Sequence, residues 1–167
     1  MDTATERLVL HPLGLDEARR VLAQTPAPDD RWAPDYPFAD ELDVLPMFIA
    51  GFAEHGDPAP FGLYAIARRS DGVFVGGLGF FGPPENGVAE LGFGLVESAR
   101  GNGYAAEALA AAAGIAFAHG ATAVIADALL DNHASHATMR NAGMVETRRD
   151  DALAYFATPP EPRPHSR

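Results

Sequence analysis

The 167-residue chain has no cysteine, which excludes disulfides, thiolate metal sites and a cysteine nucleophile. It has no apolar run near the roughly 20 residues that span a bilayer, and its polar N-terminus carries no signal-peptide pattern. The Gly-Lys-Ser or Gly-Lys-Thr of a nucleotide P-loop is missing as well. Basic residues are scarce: 12 Lys and Arg stand against 23 Asp and Glu, a net charge of −11. Nonspecific nucleic-acid binding needs a basic surface and is disfavoured. The acidic balance suits a cationic partner such as an amine, though it also serves solubility by itself. With 47% hydrophobic residues there is enough apolar matter for one domain with a real core. The expectation is a single cytoplasmic domain over 1–157, without membrane or nucleic-acid partners, and a disordered tail over 158–167.

Hydrophobic periodicity divides the chain into short elements. Glu6 to His11 reads as an opening strand, and Leu15 to Gln24 as an amphipathic helix with Leu15, Ala18, Val21 and Leu22 on one face. Thr25 to Pro37, rich in Pro and Asp, is a loop. A second helix, capped by Asp40, reaches about His55, and Pro46 predicts a kink or a later start. Phe61 to Arg68, Val73 to Phe81 and Val88 to Val96 form three strands with short turns, an antiparallel meander. Then come a helix from Ala105 to His119, a strand from Ala123 to Leu129, and a helix from His133 to Asn141. Two last strands, Met144 to Arg149 and Ala152 to Ala157, flank an Asp150-Asp151 turn.

The third strand of the meander sets Ala89, Leu91, Phe93 and Leu95 on one face, and Glu90, Gly92, Gly94 and Val96 on the other. Two positions of the second face lack side chains. Either a ligand lies against the backbone there beside the Glu90 carboxylate, or the glycines admit a closely packed helix or a bulge. The strand leads into Arg100-Gly101-Asn102-Gly103-Tyr104-Ala105, a cation and two glycines directly before a helix. Glycine lets backbone N–H groups approach a ligand closely, and the helix start adds unpaired N–H groups and partial positive charge. Together they suit a pyrophosphate.

The Arg100-x-x-Gly103-x-Ala105 loop after a strand and before an Ala-rich helix resembles the acetyl-CoA motif of the GNAT superfamily of N-acetyltransferases. The segment from Asn132 through Ser135 to Gly143-Met144 resembles a second signature of that family. Thr5-Glu6-Arg7-Leu8-Val9-Leu10 and Glu90-Leu91-Gly92-Phe93 look like its RimJ/RimL branch, which acetylates ribosomal-protein N-termini and other amines. Element order matches from Glu6 to Ala157. A Rossmann site, by contrast, wants its glycine turn after the first strand of a βαβ unit. The resemblance implies an α/β (α+β) fold with a mixed, mostly antiparallel central sheet flanked by helices. Acetyl-CoA would be held at the strand-loop-helix unit, with no metal, and a homodimer is left open.

Acetyl transfer from a thioester to an amine must remove the amine proton, stabilise an oxyanion and favour departure of the thiolate. Glu90 is the candidate base, its pKa expected to be raised by apolar neighbours and an anionic cofactor; otherwise it holds the ammonium substrate or is a solvated strand position. The resemblance implies an oxyanion donor at the backbone N–H of Leu95 or Val96, and cofactor contacts from Arg100, Gly101, Asn102, Gly103, Tyr104, Ala105, Asn132 and Met139. Many relatives carry a Tyr acid seven residues after the Asn; here that position is Met139, and Ser135 is the substitute, unless it only caps a helix. Trp32, Tyr36 and Phe38 fall where the family builds its substrate pocket, or else pin the Pro-rich loop to the core. His133 and His136 with Asp131 lack further ligands for a metal. His55 and His119 end helices, where a cation suits the dipole. The acceptor is a peptide N-terminus or a small amine, reached by direct attack in a ternary complex. The alternative is a CoA-binding sensor or interaction module with weak catalysis, which the absent Tyr keeps open.

Overall fold

The computed structural model describes residues 1–159. The chain begins with strands β1 (Thr3–Ala4) and β2 (Leu8–Pro12), then helices α1 (Leu15–Ala23) and α2 (Ala39–His55). A meander follows, β3 (Leu63–Arg68), β4 (Phe74–Phe80) and β5 (Val88–Leu95). After it come α3 (Tyr104–Ala118), β6 (Ala123–Leu129), α4 (His133–Asn141), β7 (Val145–Arg149) and β8 (Leu153–Ala157). The strands form one sheet in the order β1-β2-β3-β4-β5-β6-β8-β7. Every neighbouring pair is antiparallel except β5 with β6. This is the expected class, a mixed fold with a mostly antiparallel sheet and helices against it. No described helix is long and apolar enough to cross a membrane.

The helices form where apolar residues line one side. Helix α1 buries Ala18 and Val21. Helix α3 buries Ala108, Leu109, Ala112, Ala113 and Ala116, a mostly small-residue face that lets its axis come close to the sheet. It ends at His119 before Gly120. Helix α4 packs on α3, β6 and β7. The core beneath them is continuous from Leu8 and Leu10 through Ile66, Leu78 and Leu91 to Val124 and Phe156.

Several expectations need correction. The two-residue β1 pairs with Leu10 and Val9 and is too short to show a period. The first long strand starts at Leu8 and not at Glu6. Helix α2 begins earlier than its supposed cap: Phe38 is the capping residue, and Asp40 lies inside the first turn. The helix also runs through Pro46. Proline removes one donor, and its exposed position lets water serve the carbonyl of Leu42. A single 3₁₀ turn, Glu97–Ala99, separates β5 from the Arg100 loop. Thr158 still bonds to Val124 in both directions, at 2.9 and 3.0 Å, and so extends the ladder of β8. The rest of the expected tail, from residue 160, lies outside the described residues.

Candidate active site

Strand β5 delivers the chain through the 3₁₀ turn to Arg100, and Gly103 then caps α3 without a side chain. Gly101 and Gly103 take φ of +84° and +78°, a region where a Cβ is strained. A Cβ on Gly101 would meet nothing within 4 Å, and one on Gly103 only the Arg7 guanidinium at 3.4 Å. Among the described residues no protein group takes the N–H of Gly101, Asn102, Gly103 or Tyr104. These donors are left unpaired at the positive end of a 15-residue helix, an arrangement suited to an anion.

The loop is held from behind. Arg7 donates to the Asn102 carbonyl at 2.7 Å and to Glu107 at 2.8 Å, and its guanidinium lies 4.9 Å from the Tyr104 ring centre. Glu107 also accepts from the Thr5 hydroxyl and the Arg7 N–H. The Thr5-Glu6-Arg7 stretch therefore braces the first turn of α3. Beside it lies a shallow cavity of about 340 Å³ lined by Glu6, Arg7, Arg68, Arg69, Ser70 and Tyr104.

A second opening arises where β5 leaves β6. The two strands pair only from Val88 to Glu90 against Ala123 to Ile125. Beyond Glu90 they part, while β5 stays paired with β4 to Leu95. Phe81 donates to Glu90 and Val96 donates to Val75, so even-numbered residues of β5 bond to β4. By the alternation of the ladders, the Leu91 N–H closes the last bond to β6, and the Leu91 C=O with the N–H and C=O of Phe93 and Leu95 point into the fork. An extended ligand arm can pair with that edge as an added strand would. The Val96 N–H, given to Val75 at 2.9 Å, is not available to an oxyanion; of the two positions expected, only Leu95 has a free donor.

The other expected residues separate into two groups. Glu90 stands at the vertex of the fork, and its side chain is exposed, not buried among apolar neighbours. Asn132 caps α4, accepting the Ser135 N–H at 3.2 Å, and the half-buried Ser135 hydroxyl makes no bond within the protein's described residues. Met139 is fully buried at 0% exposure, so as a cofactor contact it is corrected: it packs in the core. Among the described residues no three potential metal ligands converge. The His136 ring is hydrogen-bonded to the Leu129 carbonyl at 2.9 Å.

Trp32, Tyr36 and Phe38 fasten the loop before α2 to the sheet. Trp32 stacks edge-on against Tyr36 at 5.4 Å, and Tyr36 against Phe74 at 5.8 Å. The Phe38 ring fills the space above Gly94, where a Cβ would sit 2.5 Å from it. Phe81 lies over Gly92 more loosely, 3.4 Å from a notional Cβ, which is ordinary contact. The helix-packing alternative for the strand glycines is therefore the one realised at Gly94. Glu41, a residue the sequence did not single out, lies against Gly77 under these rings. It is 2% exposed and accepts from the Tyr36 hydroxyl at 3.2 Å. Burial pushes its carboxyl up to about 7. An acid in the first turn of a helix is so ordinary at a surface that only the three-dimensional packing reveals it.

Strand β5 thus forks from its parallel neighbour and leads through a short turn to a helix start with unpaired N–H groups. The model of the GNAT acetyltransferase domain matches residues 7–145, and the chain belongs to that family of acetyl-CoA-dependent acyltransferases. It is 33% identical over 75 residues to YjdG, an uncharacterised N-acetyltransferase of Bacillus subtilis; the match spans 44% of this chain and 45% of that relative. A GNAT-family acetyltransferase from Bacillus anthracis superposes with a TM-score of 0.67 at 19% identity, covering 94% and 97% of the two chains. RimL, a ribosomal L7/L12 α-N-protein acetyltransferase, does so with a TM-score of 0.62 at 15% identity, covering 93% and 91%. At such identities the superpositions speak for the fold alone.

Proposed function

We propose that the protein transfers an acetyl group from acetyl-CoA to a primary amine by direct attack in a ternary complex, as a RimJ/RimL-like N-acetyltransferase. The observation that supports this most is the continuous path from the free β5 edge in the fork to the unclaimed N–H groups of Gly101 to Tyr104. Acetyl-CoA supplies an activated acyl group as a thioester. In this reading Arg100 to Ala105 hold its pyrophosphate, the β5 edge holds its arm, and the Leu95 N–H meets the developing oxyanion. In the same reading Asn132, at the start of α4, adds a side-chain amide to the arm. Glu90 at the fork vertex accepts the amine proton, directly or through water, and Ser135 returns one to the thiolate. The absence of cysteine agrees with direct attack. The −11 charge favours a cationic acceptor, a peptide N-terminus or a small amine.

The test is turnover with free-thiol detection across peptides, polyamines, amino acids and aminoglycosides, beside CoA binding by calorimetry. Glu90→Gln keeps shape and removes basicity, so turnover should fall about 10²-fold near neutral pH and recover as pH rises and free amine appears. A raised KM with unchanged turnover makes Glu90 a binding residue. A second reading, a CoA-binding module without catalysis, is favoured by the buried Met139 in the place of the tyrosine acid. CoA binding with no thiol release from any acceptor would establish it.

A further inference from the structure

The loop between α1 and α2 is tied to the anion loop at one exposed point. The Asp35 carboxylate accepts the Ser98 hydroxyl at 2.6 Å and the Ser98 N–H at 2.9 Å. Ser98 is the middle residue of the 3₁₀ turn Glu97–Ala99, two residues before Arg100. Among the described residues it is the only hydrogen-bonded link between this loop and the segment from Val96 to Gly103. The neighbouring residues bind the loop elsewhere: Ala33 donates to the Phe74 carbonyl of β4, Tyr36 to Glu41 of α2, and Phe38 covers Gly94 of β5. The Ser98 hydroxyl and N–H hold the Asp35 carboxyl below its usual range, so the link stays charged through neutral pH. Neither partner is buried. An exposed, doubly bonded contact between two loops adds little to global stability. It does fix where the two loops stand relative to each other.

We propose that Asp35 is a positioning residue that transmits occupancy of the Arg100–Gly103 loop to the α1–α2 loop, coupling CoA binding to the shape of the acceptor side. The inference rests on the reading of that loop as a CoA cradle. A ligand that orders Gly101 to Tyr104 orders the turn before them, and Asp35 follows Ser98. By linkage, anything that settles the α1–α2 loop tightens CoA by the same factor.

The chain carries its own reporter, because its one tryptophan, Trp32, lies in this loop against Tyr36. CoA is titrated into the parent, Asp35→Ala, Asp35→Asn and Ser98→Ala, with calorimetry for affinity and Trp32 emission for the loop. The parent's emission should change along the calorimetric binding curve. Asp35→Ala should bind CoA within about five-fold of the parent and lose most of the emission response. Asp35→Asn keeps an acceptor for the Ser98 N–H and Ser98→Ala keeps the N–H itself, so both should respond partially. A full response in folded Asp35→Ala, or a parent that binds CoA with silent Trp32, overturns the coupling alone. A parent that binds no CoA overturns the cradle reading and the coupling with it. If Asp35→Ala fails to fold, Ser98→Ala decides: a response equal to the parent's overturns the proposal.

Discussion

Two pairs of glycines lie a few residues apart and are used in opposite ways. Gly77 and Gly94 face each other across β4 and β5, and α2 fills the space they leave. A Cβ would stand 2.8 Å from the Glu41 carboxylate at the first and 2.5 Å from the Phe38 ring at the second. Gly101 and Gly103 have positive φ, and the space before them holds nothing but the edge of Arg7. Glycine inside a strand marks where another part of the same chain comes close. Glycine at a left-handed position before a helix marks a place kept clear for something else.

The comparison breaks most visibly at Gly94. Gly94→Val drives a branched side chain into the Phe38 ring and should cost about 3 kcal/mol or more. Denaturant unfolding should show a lower midpoint with an unchanged slope. Adding Phe38→Ala should give a total smaller than the sum of the two single losses, because one clash is removed by either change. An unchanged midpoint in the single variant would mean Phe38 does not occupy that space in solution.

Gly103→Val is the matching change in the loop. Its left-handed φ makes any side chain cost about 1–2 kcal/mol, without a packing clash to add to it. CoA affinity should fall about 100-fold, near 2.7 kcal/mol, because relieving the strain shifts the loop against Arg7 and its N–H groups no longer converge. Calorimetry on the folded variant that finds the parent's affinity would remove the cradle.

Much of this was legible in the chain. The meander, α3 and α4 carry enough period and enough turn residues to be read locally, and the Arg100 loop announces itself by its glycines before an alanine-rich helix. What was hidden depends on partners far away in sequence. The fork between β5 and β6 is a failure of pairing beyond Glu90, and no local pattern encodes it. Asp35 and Ser98 are 63 residues apart. Whether Gly94 was open or filled could not be read, because the ring that closes it sits at the start of α2, far away in sequence. Met139 looked like a site position by its spacing from Asn132, yet its side of α4 faces the core.

The smallest effect should come from Glu41, because Glu41→Gln keeps the packing against Gly77 and changes only the titration. The folded carboxyl titrates at about 7 against 4.5 for an unburied group, raised by burial. Between those values the folded protein holds a proton that the unfolded chain has released. Stability linked to Glu41 is thus fully present below about pH 4.5 and is lost as pH rises through about 7. The ceiling on that loss is about 3 kcal/mol, and relaxation around the carboxylate should bring it to roughly 1–2 kcal/mol. Thermal or denaturant unfolding at pH 5 and pH 8 measures it: the parent should be less stable at the higher pH by that margin, and Glu41→Gln should have a flatter profile. The Gln amide adds donors to a site where Oε2 already lacks a partner, so its absolute stability can fall at both pH values; the difference between them is the informative quantity. A parent and a Gln variant with the same slope between pH 5 and 8 would mean Glu41 is solvated, and that the space at Gly77 is not filled as Gly94's is.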